Sequence, residues 1–502
     1  MSSGKIARAV VGISLCGLGF WLALPKPYHE KTYLIDAEGC LLETAIVEKQ
    51  EGAAQGSVLL FHGISANKKI MSYVADGFAE QGLRVYVPDL PGHGRTPGPF
   101  SPGRAEQCAE SLLRDLLARG MISADRTILA GHSMGGAIAI RVATRVPVAG
   151  VIAISPAPMG TPYEISPEMV WFPRPDILPK RTLVVYGGLE PSSVRGATNH
   201  LVQALMYGRP AILELPRATH VSILFDPRAV RASQEWSAQT FGLSPTVALP
   251  SHRPIFGALA GFFGLLVLAG PFLREVTGKN RNKEETEPTS GISVSRALAE
   301  IGIGSILVVL LLRLWIPLQA LHLFLGDYLA SFLILLGVAL VILHWRSVRQ
   351  DFSGRFSRFL PAALTAIILF LLFTAWFNVS FYEAWLTVAK WARFPFLFVA
   401  LLPYLIAEET MLGPVAAGGK WRRLAVALSL RLIAWGAIMG GVLILHNGEI
   451  LMGLLALYMA LFNLVQRSAM DLVRNETGSA TATAIFGAIL QAGFCLVIFP
   501  IT

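Results

Sequence analysis

About nine stretches of this sequence are long and apolar enough to cross a bilayer, and they are spread unequally along it. One, Ile6 to Leu24, opens the chain. The others are crowded after residue 253: Pro254 to Leu273, Leu298 to Pro317, Leu321 to Leu343, Phe359 to Phe377, Phe396 to Leu412, Leu424 to Leu445, Ile450 to Gln466 and Thr481 to Pro500. A run of roughly 20 apolar residues can bury its backbone in lipid only as a helix, which satisfies every N–H and C=O internally. The chain is therefore expected to combine helical membrane segments with one water-soluble domain between the first span and the second. The expected division is an anchor over 1–30, a soluble domain over 31–245 and a helical membrane domain over 246–502.

Composition agrees with this division. Of 502 residues, 53% are hydrophobic and only 15% charged, whereas a soluble protein carries about a quarter charged residues. The net charge is +9, but much of the basic excess lies in short loops between apolar runs. No basic face with interleaved aromatics stands out, so a nucleic-acid partner is not expected. The loop residues follow a pattern. Lys5 and Arg8, Arg274 with Lys279, Arg281 and Lys283, Arg346 to Arg358, Lys420 to Arg423, and Arg467 with Arg474 all fall on one side if the N-terminus is cytoplasmic. The positive-inside rule then places the soluble domain outside the cytoplasm, in the periplasm or at the outer face of a bacterial plasma membrane. No A-x-A-like cleavage site follows Ile6 to Leu24, Pro25-Lys26-Pro27 is poor cleavage context, and Leu15 before Cys16 does not suit a lipoprotein signal, so an uncleaved anchor is expected.

Within the soluble stretch, short β-branched runs alternate with amphipathic ones. Thr32 to Asp36 and Leu41 to Glu48 form a hairpin turning at Glu38-Gly39. Strands follow at Ser57 to Phe61, Arg84 to Pro88, Thr127 to Ala130, Gly150 to Ser155, Arg181 to Tyr186 and Ala211 to Leu215. Helices are expected over Ile70 to Glu80, Arg104 to Arg119, Ala137 to Ala143, Val194 to Tyr207 and Pro227 to Phe241. Regular alternation of this kind argues for a mostly parallel sheet covered by helices on both faces.

The centre of that domain is Gly131-His132-Ser133-Met134-Gly135-Gly136, a G-x-S-x-G pattern with a strand before it and a helix after it. Gly131 and Gly135 let strand and helix approach around a sharp turn, and Ser133 stands at its tip. The first N–H groups of the helix point to where negative charge develops in acyl transfer. Together with Phe61-His62-Gly63 and Asp89-Leu90-Pro91-Gly92-His93-Gly94, this makes residues 31 to 242 resemble an α/β-hydrolase fold domain. They most resemble the branch that contains monoacylglycerol lipases and lysophospholipases.

The resemblance implies a Ser, then acid, then His order for a catalytic triad. Ser133 is the expected nucleophile and His220, in the polar turn after the last strand, its base. Glu190 is the expected acid, where the family usually has Asp; Asp226 and Asp176 are the alternatives. The oxyanion donors expected from the fold are the backbone N–H groups of Met134 and Ile64. His62, His132 and Asp89 are expected to be scaffold, Asp89 holding the loop that carries Pro91 to Gly94. Residues 156 to 179, with Met159, Tyr163, Met169, Val170, Trp171 and Phe172, sit where the fold carries its lid, and an acyl-chain contact surface is expected there. No metal or organic cofactor is implied. Of four cysteines, Cys16 and Cys495 lie in spans; the spacing of Cys40 and Cys108 fits no metal site and gives no geometry for a disulfide, which is not expected.

In the membrane half, Glu408-Glu409 invites comparison with intramembrane CAAX-type proteases, but the arginine and histidine motifs of those enzymes are missing. A Glu409–Arg431 pair is the expected structural alternative. Arg313, His322, Asp327, His446 and Glu449 are expected near the outer face, where they could bind a lipid headgroup. Lys279 to Ser290 reads as a disordered loop.

The resulting expectation is a membrane-embedded serine hydrolase acting on a lipid or lipid-linked ester through an acyl-enzyme, with the bilayer as its other partner. Acyl transfer would use the same residues. The layout is similar to that of the GPI inositol-deacylase, which has an anchor, an outward lipase domain and many spans. The rival from another class is a transporter or flippase with an accessory hydrolase domain, which inverted repeats would favour.

Overall fold

The computed structural model describes residues 3–24, 28–50, 52–160, 172–205, 210–244, 248–277, 292–314, 319–354, 358–413, 419–445 and 452–502. They form two compact units. One comprises Phe20–Ala258, Phe377–Thr387 and Pro500–Thr502; the other comprises Met1–Gly19, Leu259–Trp376 and Val388–Phe499.

The first unit is built on an eight-stranded sheet. Its strands are β1 (Tyr28–Ala37), β2 (Cys40–Lys49), β3 (Ser57–Phe61), β4 (Arg84–Pro88), β5 (Thr127–His132), β6 (Gly150–Ile154), β7 (Thr182–Gly187) and β8 (Ala211–Leu215). The spatial order is β1-β2-β4-β3-β5-β6-β7-β8. β1 and β2 pair antiparallel, as do β2 and β4; all later neighbours are parallel. The hairpin closes at Glu38 and Gly39, with φ of 52° and 81°, the positive values that a two-residue turn between twisted strands requires.

Helices α2 (Ser72–Glu80), α3 (Pro102–Ala118), α4 (Met134–Ala143), α5 (Ser192–Leu205) and α6 (Pro227–Phe241) supply the crossovers and close the unit. Strands buried on both faces read as continuous apolar runs rather than alternating ones, and β3, β5 and β6 are wholly buried. Val58, Leu60, Ile128, Ala130, Ile152 and Ile154 form a core with Val74 and Phe78 of α2 and Val230 and Phe241 of α6. Because the central strands are parallel, the turns after β3, β5, β7 and β8 leave the sheet at the same edge. That edge is where open α/β sheets place their ligands.

The sequence expectation for the cysteines is corrected here. Cys40, at the start of β2, and Cys108, within α3, are joined by a disulfide, their Cα atoms 5.3 Å apart across a sequence separation of 68. Spacing along the chain carried no sign of this, because α3 is brought to the hairpin only by the sheet. The helix read from Ile70 starts as a 3-10 turn over Lys68–Met71, capped by the Asn67 side chain, before α2 takes over.

In the second unit and at its borders run α1 (Ser3–Ala23), α7 (Arg253–Thr277), α8 (Val294–Leu314), α9 (Gly326–Leu343), α10 (Trp345–Gly354), α11 (Phe359–Ser380), α12 (Val388–Leu412), α13 (Lys420–Ile444), α14 (Met452–Thr477) and α15 (Ala480–Ile498). Eight of these, among the described residues, are long and apolar enough to cross a membrane. The span read at Ile450 to Gln466 is not one of them. It falls on α14, which carries Asn463, Gln466, Arg467, Asp471 and Arg474.

These polar groups form a buried ionic network, and its pairing also corrects the sequence. Arg431 donates to both oxygens of Glu408, at 2.7 and 2.8 Å, not to Glu409. Arg431 also donates to Asn463 Oδ1 and Gln466 Oε1, each at 2.8 Å. Glu409 instead accepts from Arg423, at 2.8 Å, and from Arg467, which also donates to Asp471 at 2.7 Å. Asp327 accepts the N–H groups of Leu321 and Leu323, both at 2.9 Å, and so fixes the turn before α9. His446, Glu449 and the Lys279 to Ser290 loop lie outside the described residues.

Candidate active site

The turn after β5 brings Ser133 to φ 53° and ψ −119°, a conformation that a side-chain-bearing residue adopts only when its surroundings enforce it. They do so by crowding. A Cβ on Gly131 would lie 2.2 Å from the backbone of Gly135, and one on Gly135 would lie 2.2 Å from the Phe61 carbonyl oxygen. Only glycine fits at either position. The Ser133 N–H is held by the Ile154 carbonyl at 3.0 Å, which ties the turn to β6.

Three elements meet at Ser133. His220, in the turn after β8, places Nε2 2.9 Å from Ser133 Oγ. Glu190, in the turn after β7, places Oε2 3.5 Å from His220 Nδ1. That separation is a charge-pairing distance rather than a formed hydrogen bond, and such contacts commonly tighten only when substrate is bound. Glu190 is held from its other oxygen: Oε1 accepts the Gly187 N–H at 3.0 Å and the Ser155 hydroxyl. Burial pushes the Glu190 carboxyl upward, but His220, Ser155 and the Gly187 N–H outweigh it and leave the group below its ordinary range. Glu190 therefore stands beside the imidazole as a carboxylate. The other two acids are placed elsewhere. Asp226 caps α6 and pairs with Arg228 at 2.7 Å, and Asp176 is exposed.

The expected oxyanion donors flank the nucleophile. Met134 is the first residue of α4, where a helix leaves its N–H groups unsatisfied. The loop after β3 passes directly over the nucleophile, since a Cβ on Gly63 would lie 3.0 Å from Ser133 Cβ. Ile64 follows at once, and among the described residues no protein acceptor takes its N–H.

The histidines assigned to the scaffold have defined tasks. His132 is pushed down to about 3 by burial and by the neighbouring His220. The neutral ring donates from Nε2 to the His220 carbonyl at 2.7 Å, which braces the backbone of the base. His62 accepts the Leu90 N–H at Nε2, 2.9 Å, and its Nδ1 lies 2.7 Å from the Gly63 carbonyl. Asp89 accepts the Lys68 N–H at 2.7 Å, the Lys68 ammonium at 2.6 Å and the Arg95 N–H at 3.1 Å. It thereby ties the loop after β3 to the loop after β4. Sequence reasoning missed Ser155, Asn67 and Lys68, none of which carries a motif.

Of the lid stretch, Met159–Gly160 pairs with Phe172–Pro173 as a short parallel ladder, and Met159 and Phe172 are buried. Tyr163, Met169, Val170 and Trp171 lie outside the described residues. A cavity of about 400 Å³ lined by Glu38, Glu106, Glu110, Arg114 and Arg145 is a separate surface feature. Arg145 there is paired with Glu106 and Glu110, both at 2.6 Å, and Arg114 with Glu110 at 2.7 Å.

Sheet order, strand–elbow–helix geometry and the position of these residues define an α/β-hydrolase domain, followed by an all-helical region. Comparison agrees: residues 58–189 match the Alpha/beta hydrolase family. That match contains Ile64, Ser133 and Met134 and stops just short of Glu190. Esterase YjfP of Escherichia coli (strain K12) is 28% identical over 169 residues, which is 31% of this chain and 65% of that protein. Lipase 3 of Moraxella sp. (strain TA144) is 35% identical over 91 residues, 18% of this chain and 28% of the other. The magnesium-chelatase 30 kDa subunit of Rhodobacter capsulatus is 36% identical over 109 residues, 21% of this chain and 37% of the other. The chain thus spans less than two thirds of the length of each. Among solved structures, a thermophilic esterase of Thermogutta terrifontis, Est2 with butyrate bound, is similar at 12% identity and TM-score 0.37, over 43% of this chain and 96% of that one.

Proposed function

We propose that this protein is a multi-pass membrane serine hydrolase that cleaves carboxylic esters of lipid or lipid-linked substrates. The observation that carries the reading is the 2.9 Å contact of His220 Nε2 with Ser133 Oγ at a strained elbow, with a carboxylate behind the imidazole. Similarity to esterases and lipases supports ester hydrolysis as the chemistry.

In this mechanism Ser133 Oγ attacks the ester carbonyl while His220 Nε2 takes the hydroxyl proton, a step worth about 10²–10⁴-fold. Glu190 holds the ring and stabilises the imidazolium that forms. The Ile64 and Met134 N–H groups receive the oxyanion, each worth on the order of 3 kcal/mol in such sites. His220 then protonates the departing alcohol, and an acyl-enzyme remains. Water, deprotonated by His220, releases the acid; an alcohol in its place would give acyl transfer by the same residues.

The lipid assignment rests on tethering, because a soluble substrate needs no helical companion of this size. The branch of monoacylglycerol lipases and lysophospholipases remains the best analogue by motif. We place the N-terminus in the cytoplasm and the hydrolase outside. The loop charges support this, and so does the Cys40–Cys108 disulfide, since such bonds persist in oxidising compartments. The test is hydrolysis of p-nitrophenyl esters and of ester lipids in liposomes by the full chain and by Ser133→Ala. Turnover by the wild type alone would support the reading; equal turnover by both would overturn it.

A transporter reading has one observation in its favour, the buried ionic network of Glu408, Glu409, Arg423, Arg431 and Arg467 among the helices. Ionisable groups at membrane depth often mark a pathway. Here the carboxylates are matched by guanidinium groups, which favours a structural role.

A further inference from the structure

The segment Phe377–Thr387, the end of α11 and the residues between it and α12, lies far along the chain from the catalytic turns, yet it belongs to the hydrolase unit. Among the described residues it meets the turn that follows Ile64. Tyr382 donates its hydroxyl hydrogen bond to the Ser65 carbonyl at 2.6 Å. Asn67 and Glu383 bond reciprocally: Asn67 Nδ2 donates to the Glu383 carbonyl and the Glu383 N–H donates to Asn67 Oδ1, both at 3.2 Å. Lys69 reaches the Asn378 carbonyl. The Glu383 carboxylate lies 3.5 Å from the Lys68 ammonium, which also holds Asp89 at 2.6 Å and Glu43 at 2.9 Å.

Ser65, Asn67, Lys68, Asp89 and Glu383 are each 9% exposed or less, so the reciprocal Asn67–Glu383 bonds are made where water competes little for them, while the Tyr382 and Lys69 bonds are part-buried. The turn also needs holding. Ser65 has φ 55°, a left-handed value that costs a non-glycine residue energy unless neighbouring contacts enforce it. A turn free to relax would carry the Ile64 N–H away from Ser133, and oxyanion stabilisation depends on donors fixed before charge develops. The far end of the sequence does something similar. The Ile501 N–H donates to the Gly92 carbonyl at 3.3 Å, and Ile501 accepts the Phe100 N–H at 2.5 Å. This secures the loop whose His93 ring lies 5.0 Å from that of His62.

We propose that Phe377–Thr387 is a positioning element of the hydrolase site, in which Tyr382 and the Glu383 backbone hold the Ser65–Lys69 turn so that the Ile64 N–H faces the developing oxyanion. The inference rests on the serine-hydrolase reading above. It makes the inter-helix segment a required part of the catalytic apparatus.

The test uses the full chain with two substitutions, Tyr382→Phe, which removes one hydroxyl, and Asn67→Ala, which breaks the same clamp from the other side. Ser133 is titrated with a fluorophosphonate so that kcat is counted per reactive serine. Affinity is also measured for an alkyl trifluoromethyl ketone, which adds Ser133 Oγ to its carbonyl carbon and places the resulting oxyanion on the same donors. The expected result is a kcat lower by about 3- to 10-fold for Tyr382→Phe, the size of one lost hydrogen bond, with KM within about 2-fold. Ketone affinity should weaken by the same factor. Asn67→Ala should show the same pattern with a larger effect. Wild-type titration with kcat and ketone affinity unchanged in both variants would overturn the proposal alone. A wild type that the fluorophosphonate does not label would overturn the serine-hydrolase reading, and this proposal with it.

Discussion

Two of the buried clusters of acid and base among the described residues are built to opposite ends. In the hydrolase unit one carboxylate, Glu190, faces one imidazole across 3.5 Å, and the imidazole addresses a hydroxyl. In the helical unit Glu408 and Glu409 each meet guanidinium groups at about 2.7–2.8 Å. A charge matched at hydrogen-bond distance has nothing left to offer a substrate. Breaking such a pair leaves an uncompensated buried charge. A base that faces a hydroxyl on one side and a carboxylate 3.5 Å away on the other can pass a proton between states. Burial and charge are shared by both clusters; what separates them is whether any group is left poised.

Four expectations would break or sharpen this contrast, the largest first. Glu190→Ala should lower kcat by about 10³–10⁴-fold per folded molecule, by ester assay with calorimetry to count the folded fraction. A loss under tenfold would transfer the acid's role to another carboxylate. Arg467→Met should do the reverse. It removes a partner of Glu409 and of Asp471 and should cost about 3–5 kcal/mol of stability, seen in the thermal midpoint, with the labelling rate of Ser133 per folded molecule unchanged. A slowed labelling rate would mean that the helical cluster serves the chemistry.

Third, replacing Cys40 and Cys108 together by serine should lower stability by about 2–4 kcal/mol and leave kcat unchanged, measured in the same two assays. An unchanged midpoint would remove the bond from the account. The smallest effect concerns pH. The Glu190 carboxyl sits below its ordinary value, so the folded state binds its proton less readily than the unfolded chain does. The stability it contributes is present above its unfolded value, about pH 4.3, and is lost as pH falls through the lower folded value. Glu190→Gln should therefore show a shallower fall of the thermal midpoint as pH drops below about 4.3; an equally steep fall would assign that loss to other carboxylates.

The hydrolase unit was legible in the sequence because its signals are local. Ser57–Phe61, Arg84–Pro88 and Ala211–Leu215 are short apolar runs bounded by turns, and the observed strands have those limits. Gly131, Ser133 and Gly135 carry the elbow within a few residues, and the sheet does bring Glu190 and His220 to the same edge. What was not legible is what distant segments supply. The Cys40–Cys108 bond depends on where α3 docks, and Ser155 lies in no motif. The grip of Tyr382 and Glu383 on the turn after Ile64 crosses a sequence separation above 300. In the helical unit, hydrophobicity found the spans but not their pairing. Arg431 lies on α13 and both glutamates on α12, and only packing decides that Glu408 is its partner. Hydrophobicity also gave no sign that α14 continues through Arg467, Asp471 and Arg474, which are helical and buried rather than set in a loop.

The central claim is that Ser133 is activated by His220 and that the site is intact in the full chain. The most direct measurement is fluorophosphonate labelling of the detergent-solubilised protein, with the adduct located by peptide mass spectrometry, beside Ser133→Ala and His220→Ala. The account expects one adduct on the peptide that contains Ser133 and none in either variant. A well-folded wild type that takes up no label, or a His220→Ala protein labelled as fast as the wild type, would contradict it.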